Sequence, residues 1–304
     1  MRISKRSAIL VFLATCVLFS VFEVDSGNLV ALQDLSIMKG RKIGSRVSES
    51  KMLIRTPVVF TISGSMHDYP RVLSCFNTYR SEDAHLLFNF YDGTLPPSNS
   101  SRIFFSNHKG HKPVFWSKID ADFLDRYDYI WFMDSDMVFD KNIFAFDQFL
   151  YLVKRLDATI ATPNICGPKQ DNWLAQSWIS SDKFVLKAAR VEQGKPLMKT
   201  KLWRFFVTEG LINVNVHELS DWGPDFFWCA LAEKLGLGEL DCVIIPFFNM
   251  IHLNTKTMDL ARNNWNASLA NDWYSSRAKK LGISHRYNEN QHVELIPFDF
   301  RLLS

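Results

Sequence analysis

The chain has 304 residues, of which 47% are hydrophobic and 22% are charged, and its formal net charge at pH 7 is +3. This much apolar material is enough for a sizeable core, so the composition indicates a folded globular protein and excludes a disordered one. A net charge this small, without a long basic run, argues against nucleic acid as a partner.

The N-terminal residues carry the pattern of a secretory targeting signal. A basic flank precedes an uncharged apolar run at residues 8–22, which is long for a signal peptide and short for a membrane span of about 20 residues. Because residues 24–26 match the small-residue cleavage pattern poorly, we expect residues 1–26 to be a cytoplasmic tail and uncleaved signal-anchor. The body would then lie in the lumen of the Golgi or endoplasmic reticulum, as in a single-pass type II membrane protein. Cleavage of the segment would instead give a secreted protein.

Two features of the body fit a lumenal location. Residues 99–101 and 266–268 are N-glycosylation triplets, although such triplets also occur by chance. Outside the apolar run, cysteines stand at positions 75, 166, 229 and 242. They are compatible with two disulfides in an oxidising lumen or with buried free thiols, and the sequence leaves the choice and the pairing open.

The organisation of the rest of the chain predicts a short stem and one catalytic domain. Residues 27–55 are of mixed composition, with a basic patch and scattered serines, which is typical of a stem or linker. From residue 56 onward, apolar β-branched runs alternate with helical patterns, and this alternation indicates an α/β domain with a mainly parallel sheet. Since nothing marks a second boundary, we assign residues 56–304 to one domain.

The predicted elements alternate regularly in the first half of the chain. Strands are expected at 58–62, 85–91, 102–105, 129–133 and 158–162, and helices at 69–79, 112–124 and 143–155. In the second half, strands are expected at 205–208, 211–216 and 242–246, the last followed by 247–253, and a helix at 224–235. Sites of such sheets gather at the carboxyl ends of strands, which is where Ser63, Asp92 and Asp134 fall.

The strongest functional pattern is the segment Tyr-Asp-Tyr-Ile-Trp-Phe-Met-Asp-Ser-Asp at 127–136. An apolar strand delivers two carboxylates, Asp134 and Asp136, to its end, with Ser135 between them. Carboxylate oxygens suit Mn²⁺ or Mg²⁺, and such a cation offsets the negative charge that builds up on a diphosphate leaving group. The pattern therefore predicts a metal site, and its alternative is a turn with solvated carboxylates.

Three further segments accompany this one in the same order: Phe-Asn-Phe-Tyr-Asp-Gly at 88–93, Asp-Trp-Gly-Pro-Asp-Phe at 221–226, and Ile251-His252. With them the chain resembles glycosyltransferases of the GT-A type, whose metal site is an Asp-x-Asp at the end of a nucleotide-binding strand. It resembles more closely a group of membrane-anchored GT-A-like proteins, abundant in plants, that carries the name lysine-ketoglutarate-reductase trans-splicing-related. The resemblance implies a GT-A-like fold and metal-dependent transfer of a sugar from a nucleotide-sugar donor to a glycan, protein or lipid acceptor.

The segment 221–226 places two carboxylates and a tryptophan at the start of a predicted helix. An aromatic face packs against a sugar ring, so Asp221 and Trp222 are candidates for binding the acceptor. By resemblance to inverting GT-A enzymes, Asp225 is the candidate base that takes the proton of the acceptor hydroxyl. The alternative is that Asp221 caps the helix and Asp225 lies in its first turn.

His252 follows an apolar strand near the end of the predicted core. By resemblance to GT-A enzymes, it completes the metal shell beside Asp134 and Asp136, and a neutral imidazole suits Mn²⁺ better than Mg²⁺. A lone histidine is more often structural, and that interpretation stays open.

The donor nucleotide is expected over the first strand ends, next to the metal at Asp134. Ser63 and Gly64 offer backbone and hydroxyl groups, and Tyr91 and Asp92 are candidates for binding the base or ribose. Lys118, in the helix predicted before the metal strand, is the candidate for the diphosphate. A plain turn and a solvated lysine are the alternatives for these residues.

Two other functions compete with a transferase. Haloacid-dehalogenase-type phosphatases also place Asp-x-Asp-x-Thr/Val after an apolar strand, and residues 134–138 satisfy that pattern with Asp134 as nucleophile. Their first motif usually opens the domain, whereas several elements precede it here, so we prefer the transferase. The third candidate is a non-catalytic carbohydrate-binding protein on the same fold.

Overall fold

A computed structural model gives the fold. It describes residues 56–79, 83–94, 97–139, 145–166, 184–218, 220, 223–253, 267–283 and 293–298. The chain divides into two units, Met1–Leu53 and Ile54–Ser304, and every described residue belongs to the second. The predicted anchor at 1–26 and stem at 27–55 lie outside the described residues. In the part that is described, no helix combines the length and the apolar character needed to cross a membrane.

The described residues form alternating strands and helices. The strands are β1 (Val58–Gly64), β2 (Ala84–Phe90), β3 (Ile103–Ser106), β4 (Tyr129–Asp134), β5 (Met137–Phe139), β6 (Ala158–Cys166), β7 (Phe184–Ala188), β8 (Leu197–Lys199), β9 (Leu240–His252) and β10 (Val293–Pro297). The helices are α1 (Tyr69–Phe76), α2 (Lys112–Trp116), α3 (Ala121–Leu124), α4 (Phe146–Arg155), α5 (Thr200–Thr208), α6 (Val214–His217), α7 (Trp228–Leu235) and α8 (Ala267–Leu281), with a 3-10 helix at Pro224–Phe226.

All these strands belong to one sheet. Its order is β10-β7-β9-β6-β8-β4-β1-β2-β3, and β5 pairs with β9 beside this path. The strands β3, β2, β1 and β4 form a parallel block. In the other half, β6 and β9 are parallel, whereas β8, β7, β10 and β5 add antiparallel pairs. The predicted α/β fold, a mainly parallel sheet with helices on its flanks, is confirmed.

Strands β1 and β4 are buried along almost their whole length because both faces of the sheet are covered. Val58 and Phe60 of β1 belong to one buried cluster with Trp131 of β4. Val59 and Phe132, which alternate with them along the same strands, belong to a second cluster. Since successive strand residues point to opposite faces, each face of the sheet carries its own core.

The helix predicted at 112–124 is interrupted. It consists of α2 and α3, and the carboxylate of Asp120 accepts a hydrogen bond of 3.0 Å from the backbone N–H of Asp122. Asp120 has extended backbone geometry at the N-cap of α3. Aspartate is a strong N-cap residue, so Asp120 begins a second helix within the segment that was predicted as one helix.

The two strands predicted at 205–208 and 211–216 are wrong. The first segment belongs to α5, and the second consists of a short loop followed by the first residues of α6. Leu202, Trp203 and Phe206 are buried in α5 at helical spacing. The aromatic and β-branched residues at 205–208 favour a strand locally, but burial of this helical face decides the outcome. Strands β5, β7, β8 and β10 and helix α8 were not predicted.

One disulfide, Cys229–Cys242, joins α7 to β9 across 13 residues of sequence. A cross-link that closes a loop of this length stabilises a fold by about 3 kcal/mol, mainly by restricting the unfolded chain. Cys75 is a free thiol that is partly buried. Among the described cysteine side chains, the structure thus contains both a disulfide and a free thiol, the two alternatives that the sequence left open.

Candidate metal and donor site

The carboxyl ends of β1, β2 and β4 lie side by side at one edge of the sheet. In the strand register, Ser63 of β1 is paired with Asn89 of β2 and with Asp134 of β4. Asp92 follows two residues after the end of β2. The expectation that the strand-end residues gather at this edge is therefore met for Ser63 and Asp134.

His252 reaches Asp136 because the short strand β5 pairs with the last residues of β9. The strand β5, which directly follows the Asp-Ser-Asp turn, pairs with the end of β9 and sets Met137 opposite His252. The backbone N–H of Leu253 donates to the carbonyl of Asp136 at 3.0 Å. As a result, His252 Nε2 lies 3.3 Å from Asp136 Oδ2.

This spacing fits two adjacent ligands of one divalent ion. Two ligand atoms at about 2.1 Å from an octahedral ion, at right angles to each other, are about 3 Å apart. Asp136 is buried, with 7% of its surface exposed, so its carboxylate has a fixed direction. Within the described residues, no three His, Cys, Asp or Glu side chains are already arranged around one point as a complete ligand set.

The electrostatic field at this point favours a cation. The hydrogen bond to Asp136 raises the pKa of His252 above its usual value, while burial acts in the opposite direction. The negative charges of Asp136, Asp134 and Glu192 add to the rise. The same carboxylates that favour a proton on the imidazole would favour a divalent ion beside it.

Asp134 lies between a cation and a second acid. Its Oδ1 is ion-paired with Lys112 Nζ, in the first turn of α2. On the other side, a Cβ at position 194 would lie 2.8 Å from Asp134 Oδ2 and 2.7 Å from Glu192 Oε2, so both carboxylates approach Gly194. Glu192 Oε2 accepts a hydrogen bond of 2.7 Å from the backbone N–H of Gly194. Burial, together with the charge of Asp134, raises the pKa of Glu192 to about 7, although Lys112 opposes the shift.

Asp225 is buried and paired. It lies in the 3-10 helix, with 4% of its surface exposed. Arg190 donates to Asp225 Oδ2 from Nε at 3.1 Å and from Nη2 at 2.6 Å. The Arg190 guanidinium also lies 3.8 Å from the centre of the Phe226 ring. These contacts fix the direction of the carboxylate.

The backbone before Asp225 is fixed by glycine. Gly223 has φ +111°, and a Cβ at this position would lie 2.4 Å from Tyr274 Cδ2. Any amino acid other than glycine would be strained at this φ, and its Cβ would clash with the Tyr274 ring. The predicted acceptor residues Asp221 and Trp222 lie outside the described residues.

Ser63 and Gly64 serve the packing of this edge of the sheet. Ser63 Oγ accepts a hydrogen bond of 3.0 Å from Asn89 Nδ2, and the same amide donates to the carbonyl of His108 at 2.9 Å. A Cβ at position 64 would lie 3.0 Å from Ser135 Cβ and 2.9 Å from Phe88 Cζ. Glycine is therefore needed there for the turn after β4 to pack against β1.

The other predicted donor residues are more widely spread. Tyr91 donates its backbone N–H to the carbonyl of Gly64 at 3.2 Å and is partly buried. Asp92 is exposed, and its hydrogen bond from the backbone N–H of Thr94 lowers its pKa. Lys118 is exposed in the turn after α2, whereas the lysine that contacts Asp134 is Lys112.

Sequence reasoning missed Lys112, Arg190 and Glu192. The last two lie in the loop between β7 and β8, for which no element was predicted. The signal present in the sequence is the charged pair Arg190-x-Glu192 next to Gly194, between two apolar runs. A loop that is bounded by buried strands and carries charges in a fold of this class is a candidate for a site.

No protein family model matches the sequence, and no curated protein matches it either. The fold is similar to that of GalNAc-T7, crystallised with UDP, GalNAc and Mn²⁺, at 9% sequence identity and a TM-score of 0.46, over 74% of this chain and 48% of that one. The chain thus spans about half the length of GalNAc-T7.

The fold is also similar to that of mannosyl-3-phosphoglycerate synthase from Rubrobacter xylanophilus, at 11% identity and a TM-score of 0.40, over 82% of this chain and 89% of that one. A third similar structure is glucosyl-3-phosphoglycerate synthase from Mycobacterium tuberculosis in complex with Mn²⁺, UDP and phosphoglyceric acid. Here the identity is 9% and the TM-score 0.33, over 82% of this chain and 92% of that one. Sequence identities and TM-scores this low assign no residue role and no substrate of these enzymes to the chain. The resemblance to the plant group rests on the sequence motifs alone.

Proposed function

We propose that the protein is a metal-dependent glycosyltransferase that moves a sugar from a nucleotide-sugar donor to a carbohydrate, glycoprotein or glycolipid acceptor. The observation that supports this most is the 3.3 Å approach of His252 Nε2 to Asp136 Oδ2, at the end of a buried parallel strand. When a UDP- or GDP-sugar gives up its sugar, the nucleoside diphosphate is the leaving group, and positive charge at such a strand end would bind it.

The donor side of the site would use residues from three parts of the chain. Asp136 and His252 would hold Mn²⁺ or Mg²⁺, which supplies positive charge opposite the diphosphate when bound. Asp134 would join them by giving up its contact with Lys112. Lys112 then adds a second positive charge at the same edge, which suits the diphosphate better than the exposed Lys118 does.

The acceptor side would be formed by the segment around Asp225, with Asp221 and Trp222 as proposed acceptor contacts. Asp225 is the proposed base for the acceptor hydroxyl, and Arg190 holds its carboxylate in one direction. The negative charges of Asp134 and Asp225 both raise the pKa of Glu192, in addition to the larger effect of burial.

The experiment for this proposal is a screen of UDP- and GDP-sugars for release of the nucleoside diphosphate. We expect release from at least one donor with Mn²⁺, and loss of release with EDTA or in Asp136→Ala. A phosphatase would instead hydrolyse aryl phosphates and bind beryllofluoride at Asp134. A protein that binds glycans but no nucleotide would correspond to the non-catalytic alternative.

We also propose that residues 56–304 lie in the lumen of the Golgi or endoplasmic reticulum, behind an anchor at residues 1–26. The disulfide Cys229–Cys242 supports an oxidising compartment, and Asn99 of the first glycosylation triplet is exposed. In intact microsomes, the body should resist protease, and Asn99→Gln should abolish a glycosidase-sensitive mobility shift if that triplet is used. Digestion of the body without detergent would contradict this topology.

A further inference from the structure

The turn that carries Asp134 and Asp136 is bound by an arginine from a different part of the chain. Arg71, in the first turn of α1, donates to the backbone carbonyl of Ser135 from Nε at 3.2 Å and from Nη2 at 3.0 Å. Ser135 is the middle residue of the turn and is buried. We infer that Arg71 is the positioning residue of this turn and sets its affinity for the metal ion, an inference that rests on the proposed function.

Arg71 is itself held in place by an aspartate that is almost completely buried. Asp68 Oδ1 accepts a hydrogen bond of 2.6 Å from Arg71 Nη2. The other oxygen, Oδ2, accepts from the backbone N–H of Ser65 at 3.0 Å and from its hydroxyl at 2.8 Å. The network therefore links the loop that leaves β1 to the turn that leaves β4.

The position of Asp68 shows that this network is more than a helix cap. Asp68 occupies the N-cap position of α1, where an aspartate usually accepts a hydrogen bond from the helix backbone. Its side chain makes no such bond. Its two oxygens are used for Ser65 and Arg71 instead, so the carboxylate serves the connection to the Asp-Ser-Asp turn.

The atom that Arg71 binds suits a residue that positions the turn. Arg71 donates to the backbone carbonyl between the two aspartates, so both carboxylates keep their oxygens for other partners. Ser135 also packs against Gly64, where a Cβ would approach Ser135 Cβ to 3.0 Å. These contacts restrict the turn, and a turn that is fixed before the ion arrives binds it more tightly.

The test is the affinity for Mn²⁺ alone, measured by electron paramagnetic resonance titration of Arg71→Met, Arg71→Lys and wild type. We expect Arg71→Met to raise the Kd about tenfold or more, the size of effect that loss of a charged hydrogen bond gives. The Kd of Arg71→Lys should lie between those of the wild type and Arg71→Met. A lysine ammonium can donate to the Ser135 carbonyl, but it lacks the several N–H groups with which the guanidinium also binds Asp68.

The matched control is Arg102→Met. Arg102 also donates to two backbone carbonyls, those of Ala84 from Nε and Tyr79 from Nη2, both at 3.2 Å. Ala84 pairs with Val58 at the opposite end of the strands from Ser63. Arg102→Met should therefore lower the thermal stability and leave the Kd for Mn²⁺ unchanged.

An unchanged Kd in folded Arg71→Met, or an equal increase in Arg102→Met, would overturn the inference while the proposed function stands. If Arg71→Met does not fold, Arg71→Lys decides the matter. A raised Kd for Mn²⁺ in Arg71→Lys supports the positioning role of Arg71, and a wild-type Kd overturns it. Absence of Mn²⁺ binding in the wild-type protein would overturn the proposed metal site, and the inference with it.

Discussion

Replacing Asp136 or His252 with alanine should each lower turnover by about 10²–10³-fold and weaken Mn²⁺-dependent donor binding in parallel. Their side chains approach to 3.3 Å, so each substitution removes one of two adjacent candidate ligands. The lost positive charge opposite the diphosphate is an electrostatic contribution of about 3–4 kcal/mol in a site with little water. Calorimetry of donor binding with Mn²⁺, together with initial rates, measures both effects.

His85→Ala is the matched control for His252→Ala. His85 lies in β2, is partly buried and contacts the Phe104 ring. It pairs with Val59 near the end of the strands that is opposite to Ser63 and the metal site. Its replacement should leave Mn²⁺-dependent binding intact. If His252→Ala binds Mn²⁺ and donor as the wild type does, His252 is a structural histidine and the metal shell lacks it.

Asp225→Asn should lower turnover by about 10²–10⁴-fold while donor binding survives, because the amide keeps the size of the carboxylate but cannot accept the acceptor's proton. The variant should also lose stability. Arg190 and Asp225 form a largely buried pair with side-chain exposures of 12% and 6%, and removing one partner of such a pair costs about 3–5 kcal/mol.

Arg190→Met separates the catalytic role from the structural one. Alone, it breaks the same pair and should be similarly destabilised. Combined with Asp225→Asn, it removes both charges, so the free energy of unfolding should recover towards the wild-type value. If Asp225 is a base, turnover stays low in the double variant, and if Asp225 is only a structural partner, turnover recovers with stability. Thermal melts and initial rates for the four proteins distinguish the two outcomes.

The parts of the fold that the sequence predicted are those decided by local burial. The apolar runs at 58–62 and 129–133 became central strands because each face of the sheet carries its own core. Asp134 and Asp136 then fall at a strand end by sequence position alone. The predicted helix at 224–235 was also found, as a 3-10 turn followed by α7, with Gly236 in left-handed conformation at its end.

The rest depended on tertiary contacts that no local pattern contains. The approach of His252 to Asp136 requires the pairing of β5 with β9, which was not predicted. The partner of Asp225 is Arg190, from a loop between two unpredicted strands. Helix α2 ends at Trp116 and leaves Lys118 in the turn after it, so the lysine beside Asp134 is Lys112 and not the one that the sequence suggested.

The most direct test of the metal site is the position of Mn²⁺ in crystals of the protein grown with MnCl₂ and UDP, located by its anomalous scattering. We predict one Mn²⁺ peak within coordination distance of Asp136 Oδ2 and His252 Nε2, with the UDP diphosphate as a further ligand. Mn²⁺ bound away from both residues, or UDP bound with no metal at its diphosphate, would contradict a metal-dependent glycosyltransferase site at the end of β4.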